Sequence, residues 1–276
     1  TPILEDNTLQ GAVVVFRDIS ERIRHEAELQ KAIQARDEFI GIASHELKTP
    51  ITSLKLQMQI LLRDLHQGAM SLPGAAHMLK MANLADKQIL RLSLLVDSLL
   101  DATRASSNRL ELSMAELNLC SITAEILERL RSQLTAARCE TVFSHDEDIP
   151  LLRGDRLRIE QVLTNLLTNA IRYAPGSKIE VEVRFRDDTL NLSVRDEGPG
   201  ISQENQARIF SRFERCGNSH VGGLGLGLYI SKHIVEGHGG KIRVESAPGK
   251  GAKFIVSFPV ESLVGRDTSP RIAPVA

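Results

Sequence analysis

The chain has 276 residues, of which 42% are apolar and 25% are charged, with 34 basic and 35 acidic side chains. This composition is ordinary for a globular protein with a buried core. The formal net charge of −1 supplies no field that would attract DNA or an anionic membrane surface. With no tryptophan and only 4% aromatic residues, stacking platforms for single-stranded nucleic acid are not expected either. We therefore expect no nucleic-acid partner.

No apolar run approaches the roughly 20 residues that a membrane-spanning helix needs. The three cysteines have neither metal-ligand spacing nor a disulfide pattern, which favours a reducing compartment. We expect a cytoplasmic chain without a membrane segment. It opens without methionine on a strand-like run, which indicates a piece of a longer protein that could itself be membrane-anchored.

The N-terminal part contains one strand-like run and one long charged run. The β-branched run 11–17 (GAVVVFR) predicts a strand. The segment 18–20 then predicts the start of a helix that continues to Phe39 without glycine or proline. Its sparse apolar positions favour a connector that needs a partner chain over a core element.

Two heptad seams follow, because apolar residues step by three or four positions along two successive segments. The first seam comprises Leu47, Ile51, Leu54, Met58, Leu61 and Leu65, and the second comprises Ala82, Ala85, Ile89, Leu92, Val96, Leu99 and Thr103. Turn residues at 66–74 separate them and predict an antiparallel helical hairpin. One hairpin leaves its seam half exposed, so we expect two copies to form a four-helix bundle, and hence a homodimer.

Beyond residue 107 short strand-like runs alternate with helical runs, which predicts a separate α/β sandwich domain. The predicted strands are 141–144, 178–186, 190–195, 241–245 and 253–258, and the predicted helices are 121–136, 156–173 and 224–236. The proline-containing stretch 262–276 predicts a disordered tail. The expected fold class is thus α+β and multidomain, with a helical hairpin followed by an α/β sandwich.

A histidine lies on the predicted solvent face of the first helix of the hairpin. With Leu47 at a d position, His45 falls at b, where another domain can approach its imidazole. The carboxylate of Glu46 can take the Nδ1 proton while Nε2 attacks phosphorus. A lone exposed histidine is more often simply solvated. A zinc-protease motif is excluded because Thr49 stands where a second histidine is needed.

Polar residues of the C-terminal half suit a nucleotide. Asn165 and Asn169 share one face of the predicted helix 156–173, and amide oxygens suit Mg²⁺. Arg172 and Tyr173 follow one turn later, where a cation and a hydroxyl can reach phosphate. Two asparagines on a helix are weak indications by themselves.

Two glycine-containing segments add to this pattern. In the segment 196–201 (DEGPGI), the Asp196 carboxylate can accept a hydrogen bond from the adenine amine, and Gly198 and Gly200 let the backbone approach the base. The alternating glycines of 222–228 (GGLGLGL) expose amides to phosphate at a helix start. An ordinary turn and a generic glycine-rich loop are the alternatives for each segment alone.

Taken together, these strings resemble a known family. FIGIASHELKTPITSL resembles the phosphoacceptor box of sensor histidine kinases. NLLTNAIRYAP, DEGPGI, IFSRFER and GGLGLGL resemble, in order, the N, G1, F and G2 boxes of the GHKL ATP-binding domain. The resemblance covers about 38–259, and 11–24 also resembles the end of a PAS sensor domain. It implies a Bergerat-type sandwich with a mobile lid at 216–221.

The resemblance implies that Mg-ATP phosphorylates His45 with help from Glu46. The phosphoryl group then passes to the receiver domain of a response regulator, whose dephosphorylation Thr49 serves. Phe210 and Phe213 would anchor the lid rather than stack on nucleotide. Mg²⁺ would be handled by Asn165 and Asn169. The ATP-binding set that it implies is Asn165, Asn169, Arg172, Tyr173, Asp196, Gly198, Gly200, Ile201, Arg215, Gly223, Leu224, Gly225, Leu226 and Gly227.

The resulting organisation has five segments: a PAS-like end (1–20), a connector helix (21–37), a phosphotransfer hairpin (38–107), an ATP-binding domain (108–261) and a tail (262–276). Two other functions stay open. An ATPase that uses the same domain for conformational work has no need of the exposed His-Glu pair. A non-catalytic scaffold or pure phosphatase predicts lost nucleotide contacts.

Overall fold

The structure is a computed structural model that describes residues 2–5, 8–12, 18–66, 72–106, 111–214 and 224–259. Two compact units are formed, Thr1–Lys48 and Thr49–Ala276. The tail expected at 262–276 and the lid expected at 216–221 lie outside the described residues.

The first unit contains a pair of strands and the start of a long helix. Strands β1 (Pro2–Glu5) and β2 (Thr8–Ala12) pair antiparallel. The predicted strand 11–17 therefore begins earlier, at Thr8, and its part 13–17 lies outside the described residues. The PAS resemblance of this end stays a prediction.

Helix α1 runs from Ser20 to His66. Its start is capped as predicted, because the backbone N–H of Ser20 donates to Oδ1 of Asp18 over 2.8 Å. The hydrogen bonds from Ser20 lower the pKa of the Asp18 carboxyl. The connector run and the first heptad seam thus form one continuous helix, which also continues through Pro50.

Helix α2 extends from Leu72 to Ser106. The turn predicted at 66–74 is therefore too long, since His66 still belongs to α1 and Leu72 already belongs to α2. Pro73 is the second residue of α2, where a missing N–H costs no helical hydrogen bond. Pro73, which indicated a turn in the sequence, therefore lies in the first turn of a helix instead.

Both heptad seams divide into an inner and an outer stripe. In α2, Ala85 is buried and Leu92 and Leu99 are half-buried, whereas the alternate positions of the seam are exposed. The same holds in α1, where alternate seam positions are half-buried and exposed. The exposed stripe residues are Ile51 and Met58 of α1 and Ala82, Ile89, Val96 and Thr103 of α2. A half-exposed seam is what the sequence predicts for a single hairpin.

A five-stranded mixed sheet forms the C-terminal domain, in the order β4-β6-β7-β9-β8. Only the β4–β6 pair is parallel, and the other pairs are antiparallel. The strands are β4 (Glu140–His145), β6 (Lys178–Arg186), β7 (Thr189–Asp196), β8 (Lys241–Ser246) and β9 (Ala252–Pro259). All five predicted strands are found.

The helices of this domain are α3 (Leu119–Arg129), α4 (Arg131–Ala136), α5 (Arg156–Tyr173), α6 (Gln203–Arg208) and α7 (Gly227–Gly237). The single helix predicted at 121–136 is wrong, because the chain turns at Leu130 between α3 and α4. The sequence also missed α6 and the small antiparallel pair of β3 (Ala115–Leu117) and β5 (Leu152–Gly154).

Helix α5 is the centre of the helical layer. It packs against α3, α7 and β7, and its leucines Leu163, Leu166 and Leu167 are fully buried. The side chain of Asp155 caps its first turn by accepting from the N–H of Arg158. Because α5 is anchored at its start and buried along one face, the residues on its other faces near the C-terminal end are held at fixed positions.

Replacing a leucine on the buried face of α5 tests this packing. We expect Leu166→Ala to lower the free energy of unfolding by about 2–5 kcal/mol, because a cavity replaces buried methyl groups. Leu157→Ala, at an exposed position of the same helix, should change it by less than about 0.5 kcal/mol. Urea unfolding monitored by circular dichroism measures both, and equal losses would contradict the packing described.

Candidate functional site

Most of the predicted nucleotide-binding residues line one cavity of about 390 Å³. They come from the C-terminal half of α5, the turn after β7 and the segment that leads into α7. The predicted residues in the lining are Asn165, Asn169, Arg172, Tyr173, Asp196, Gly200, Ile201, Leu224, Gly225, Leu226 and Gly227. Gly198 lies beside the cavity, and Arg215 and Gly223 lie outside the described residues.

A buried carboxylate marks one end of the cavity. Asp196, the last residue of β7, is only 6% exposed. Burial raises the pKa of this carboxyl, and hydrogen bonds from the backbone N–H groups of Gly198 and Ala252 partly counteract the rise. The Gly198 N–H lies 2.8 Å from Asp196 Oδ1, where a Cβ on residue 198 would also lie 2.8 Å away. Gly198 therefore orients the carboxylate without lining the cavity.

The turn after Asp196 rests on a second glycine turn. Gly200 has a positive φ of 71°, and a Cβ there would lie 1.9 Å from the carbonyl oxygen of Ala247. The N–H of Gly249 donates to the carbonyl of Pro199 over 2.7 Å. The segment 249–251 thus supports the cavity wall.

The opposite end is built from amides and glycines. The side chain of Asn165 donates from Nδ2 to Oγ of Ser231 over 2.9 Å. A Cβ on Gly227 would lie 2.2 Å from Asn165 Oδ1. Glycine is therefore required at the first residue of α7 for this amide to sit beside the helix N-terminus. Ser231, one turn further along α7, was not predicted.

The donor set at this end suits a hard cation. Among the described residues, no group of three or more histidine, cysteine, aspartate or glutamate side chains is placed to hold a metal ion. Along α5, the carboxamide oxygens that line the cavity are those of Asn165 and Asn169. Such a set fits Mg²⁺, which keeps several waters and takes further oxygens from phosphates.

Phe213 and Gly225 flank the segment that joins the F and G2 boxes. The N–H of Phe213 donates to the carbonyl of Gly225 over 3.1 Å. Gly225 has a positive φ, and a Cβ there would lie 2.7 Å from the backbone of Phe213. Neither Phe213 nor Phe210 lines the cavity, whereas Ile209 does.

Several lining residues were missed by the sequence prediction. Ala252 and Phe254 alternate on β9 and lie beside the strand that ends at Asp196. Ile209 and Pro199 complete the apolar lining at the end of the cavity that contains Asp196. A further wall comes from the hairpin helix α2, where the spacing of apolar residues had indicated only bundle packing. These α2 residues are Arg91, Leu94, Leu95 and Ser98.

His45 lies on α1 with 81% of its side chain exposed in the single chain. Its Nδ1 atom is 3.8 Å from Oε1 of Glu46, which is within ion-pair range but too long for a hydrogen bond. Thr49, four residues further along the helix, is also exposed. The predicted solvent position of the imidazole is thus found.

Comparisons with known proteins match both parts of the chain. The His Kinase A (phospho-acceptor) domain matches residues 35–108, and the histidine kinase-, DNA gyrase B- and HSP90-like ATPase domain matches residues 154–262. The alginate biosynthesis sensor protein KinB of Pseudomonas aeruginosa is 34% identical over 251 residues, which are 91% of this chain and 40% of KinB.

The adaptive-response sensory kinase SasA of Synechococcus sp. (strain JA-3-3Ab) is 30% identical over 268 residues, 96% of this chain and 69% of SasA. The crystal structure of histidine kinase ThkA in complex with response regulator protein TrrA aligns with a TM-score of 0.61 and 25% identity. It covers 88% of this chain and 66% of that chain.

The fold and the cavity define a GHKL-type ATP-binding domain that follows a phosphoacceptor hairpin. The chain belongs to the sensor histidine kinase family. It spans 40% of KinB and 69% of SasA. Within the described ranges, no helix is both long enough and apolar enough to cross a membrane.

The buried carboxylate gives a stability prediction with a definite sign. Burial raises the pKa of folded Asp196 above its ordinary value of 3.8. The protonated carboxyl therefore stabilises the folded state at pH values below 3.8, and this stabilisation is lost as the pH rises through the folded pKa. At pH 7 the ionised carboxylate is therefore destabilising. Asp196→Asn removes this charge, and its side-chain oxygen can still accept from Gly198.

We therefore expect Asp196→Asn to have a Tm equal to or above that of the wild type at pH 7. This advantage should shrink at pH 4, where the wild-type carboxyl becomes protonated. Thermal unfolding at both pH values measures the difference, with Asp148→Asn at an exposed loop position as the matched control. A clearly lower Tm for Asp196→Asn at pH 7 would contradict the assignment of desolvation as the dominant cause.

Proposed function

We propose that this chain is an ATP-dependent protein-histidine kinase that phosphorylates its own His45 and passes the phosphoryl group to an aspartate of a response regulator. The proposal is carried by the presence of two features together in this member of the sensor histidine kinase family. The chain has an exposed imidazole on a phosphoacceptor helix and a cavity with a buried carboxylate, amides and glycines. A cytoplasmic setting follows, since ATP and response regulators are found there.

Adenine recognition would depend on Asp196. Its ionised carboxylate accepts a hydrogen bond from the adenine amine, whereas the O6 carbonyl of guanine would be repelled. The hydrogen bond from the Gly198 N–H holds Asp196 Oδ1 in place, and because each carboxylate oxygen can accept more than one hydrogen bond, the base can be bound as well. Ile201 and Phe254 of the cavity wall supply apolar contact for the ring.

The phosphates would lie at the opposite end of the cavity. Backbone amides of 224–227 and the N-terminus of α7 favour negative charge there, and Arg172 and Tyr173 add a cation and a hydroxyl. By family resemblance Arg215 and Gly223 complete this set. Asn165 and Asn169 would hold Mg²⁺, which neutralises phosphate charge when bound.

In the transfer step, His45 Nε2 forms a bond to the γ-phosphorus as the bond to the β,γ-bridging oxygen breaks, and ADP leaves with the electron pair. Glu46 takes the Nδ1 proton, for which its 3.8 Å separation must shorten by side-chain rotation. The P–N bond formed is labile, so it suits relay to a carboxylate rather than storage.

A response regulator is the proposed acceptor because the similar ThkA was crystallised with a response regulator protein. The receiver aspartate would take the phosphoryl group from His45. Thr49, exposed on the same helix, would support dephosphorylation of the regulator, in which water takes up the phosphoryl group from the aspartate.

A homodimer is proposed from the outer stripe of the hairpin. Ile89 and Val96 of α2 recur seven residues apart and are exposed in the single chain, as Ile51 and Met58 are in α1. Exposed apolar residues at heptad spacing are suited to a second copy of the hairpin, which would complete a four-helix bundle.

Replacing the phosphoacceptor tests the proposed reaction. Wild-type chain incubated with γ-labelled ATP and Mg²⁺ should become labelled, and the label should survive base and be lost in acid, as expected of phosphohistidine. We expect His45→Gln to abolish labelling. His25→Gln, at another exposed position of α1, should leave it unchanged.

Two results would decide against the kinase assignment. Equal labelling of His45→Gln and wild type would place the phosphoryl group elsewhere. ATP hydrolysis by a wild type that never becomes labelled would favour the conformational ATPase instead.

Two adjacent residues of α2 offer a matched test of the dimer. Ile89 is 54% exposed on the outer stripe, and Leu90 is 57% exposed off that stripe. We expect Ile89→Glu to weaken dimerisation at least about tenfold, since a buried unpaired charge costs several kcal/mol. Leu90→Glu should have little effect. Light scattering over a concentration series measures the molar mass, and equal behaviour of the two variants would contradict the proposed face.

A further inference from the structure

One face of α2 is turned toward the ATP-binding domain along its whole C-terminal half. The residues of this face, here called the α2 seat, follow helical spacing of three and four positions. Its members are Arg91, Leu94, Leu95, Ser98, Asp101, Ala102 and Ala105. The last three are buried, and the first four line the cavity. By helical periodicity the seat lies nearly opposite the outer stripe of Ile89 and Val96.

A buried ion pair fixes the seat against α5. Asp101 is only 8% exposed, and both of its carboxylate oxygens lie 2.9 Å from Nη1 of Arg158. The amide of Gln161, one turn further along α5, donates to Oδ2 over 2.7 Å. The same Arg158 Nη1 also donates to Gln161 Oε1 over 2.8 Å. A buried carboxylate with this set of partners fixes a register, since separating it leaves charge unpaired.

Because this contact fixes the two helices against each other, it also fixes which residues further along α5 and α2 lie near one another. On α5, positions one turn apart lead from Arg158 and Gln161 to Asn165, Asn169 and Arg172, all three of which line the cavity. On α2, the same spacing leads back from Asp101 to Arg91, which lines the same cavity. Arg91 therefore lines the same cavity as the α5 amides.

The charges of the cavity favour an anion beside Arg91. Within the described part of the lining, the cations are Arg91 and Arg172 and the anions are Asp196 and Glu214. Glu214 is already bound by Arg208, whose Nη2 lies 2.6 Å from its Oε1. Asp196 is engaged with the backbone at the other end. A guanidinium left facing such a cavity suits phosphate oxygens, which it can bind in a bidentate manner.

We infer that Arg91 is a further phosphate-binding residue of the nucleotide site, supplied by the hairpin, and that Asp101 with Arg158 and Gln161 positions it. This inference rests on the proposed binding of ATP. It makes nucleotide affinity dependent on seating of the ATP-binding domain on α2. Arg91 then contacts the polyphosphate and not the base, so its contribution should depend on the number of phosphates in the ligand.

Calorimetric titration of the full chain with ATP, and with adenosine by competition, tests the inference. We expect Arg91→Ala to weaken ATP binding about tenfold, which corresponds to about 1.4 kcal/mol, and to leave adenosine affinity unchanged. Arg91→Lys should restore part of the loss. Arg104→Ala removes a cation from the far side of α2, which is exposed and outside the cavity lining, and should leave both affinities unchanged.

Asp101→Asn tests the positioning role. It should weaken ATP binding in the wild-type background but have little further effect in the Arg91→Ala background, because both changes remove the same contact. Thermal unfolding of each variant confirms that the domains remain folded. Additive losses from the two changes would overturn the positioning role of Asp101.

The remaining outcomes separate the two proposals. ATP affinity within twofold of wild type for Arg91→Ala overturns the inference, as does an equal loss for ATP and adenosine, which marks Arg91 as packing only. If wild type binds ATP and Asp196→Asn does not, nucleotide binding at the proposed site stands whatever Arg91 does. If wild type binds neither ligand, the proposed function itself fails.

Discussion

The burial of one carboxylate is the constraint on which the rest of the nucleotide site depends. Asp196 sits at the end of β7 with little access to water, where an ionised group needs hydrogen bonds to offset its lost hydration. The N–H of Gly198 supplies one because the chain turns tightly at Gly198 and again at Gly200, and the N–H of Ala252 on the paired strand supplies another. Those turns in turn require the glycine segment 249–251 beneath them. These glycines are therefore needed to position the Asp196 carboxylate, and not only to bind phosphate.

Helix α5 connects the hydrophobic core to the nucleotide cavity. Its leucines enter the core while its asparagines, on another face, line the cavity. The Asp155 cap at its start also accepts the N–H of Ser113, and the Asp155 N–H donates to the buried ring of His238. Because the start of α5 is tied in this way to the end of α7, the amide of Asn165 meets Gly227 and Ser231 at a fixed place.

Helix α2 presents two nearly opposite faces of different character. The outer stripe is apolar and exposed, as a face for a second hairpin should be, while the seat carries Asp101 and reaches the nucleotide cavity. A rotation of this helix would therefore affect both faces together. Under the proposed dimer and phosphate contacts, a change in the hairpin would reach the nucleotide through this one helix.

The sequence by itself determined the elements whose signals are local. The helix 156–173 and the strand 178–186 have the predicted bounds, because caps and side-chain periodicity act over a few residues. The solvent position of His45 followed from heptad register alone. The order of the glycine and asparagine segments carried the resemblance to the ATP-binding domain, whose family match covers residues 154–262.

Only the tertiary structure decided which distant segments share a wall. Strands β3 and β5 have three residues each, too few for a periodic signal, and exist because they pair with each other. The break at Leu130 depends on packing rather than on a glycine or proline. The contact of Asp101 with Arg158 joins residues 57 positions apart. Local patterns carry no information about such pairs, because their energy depends on burial that the whole fold creates.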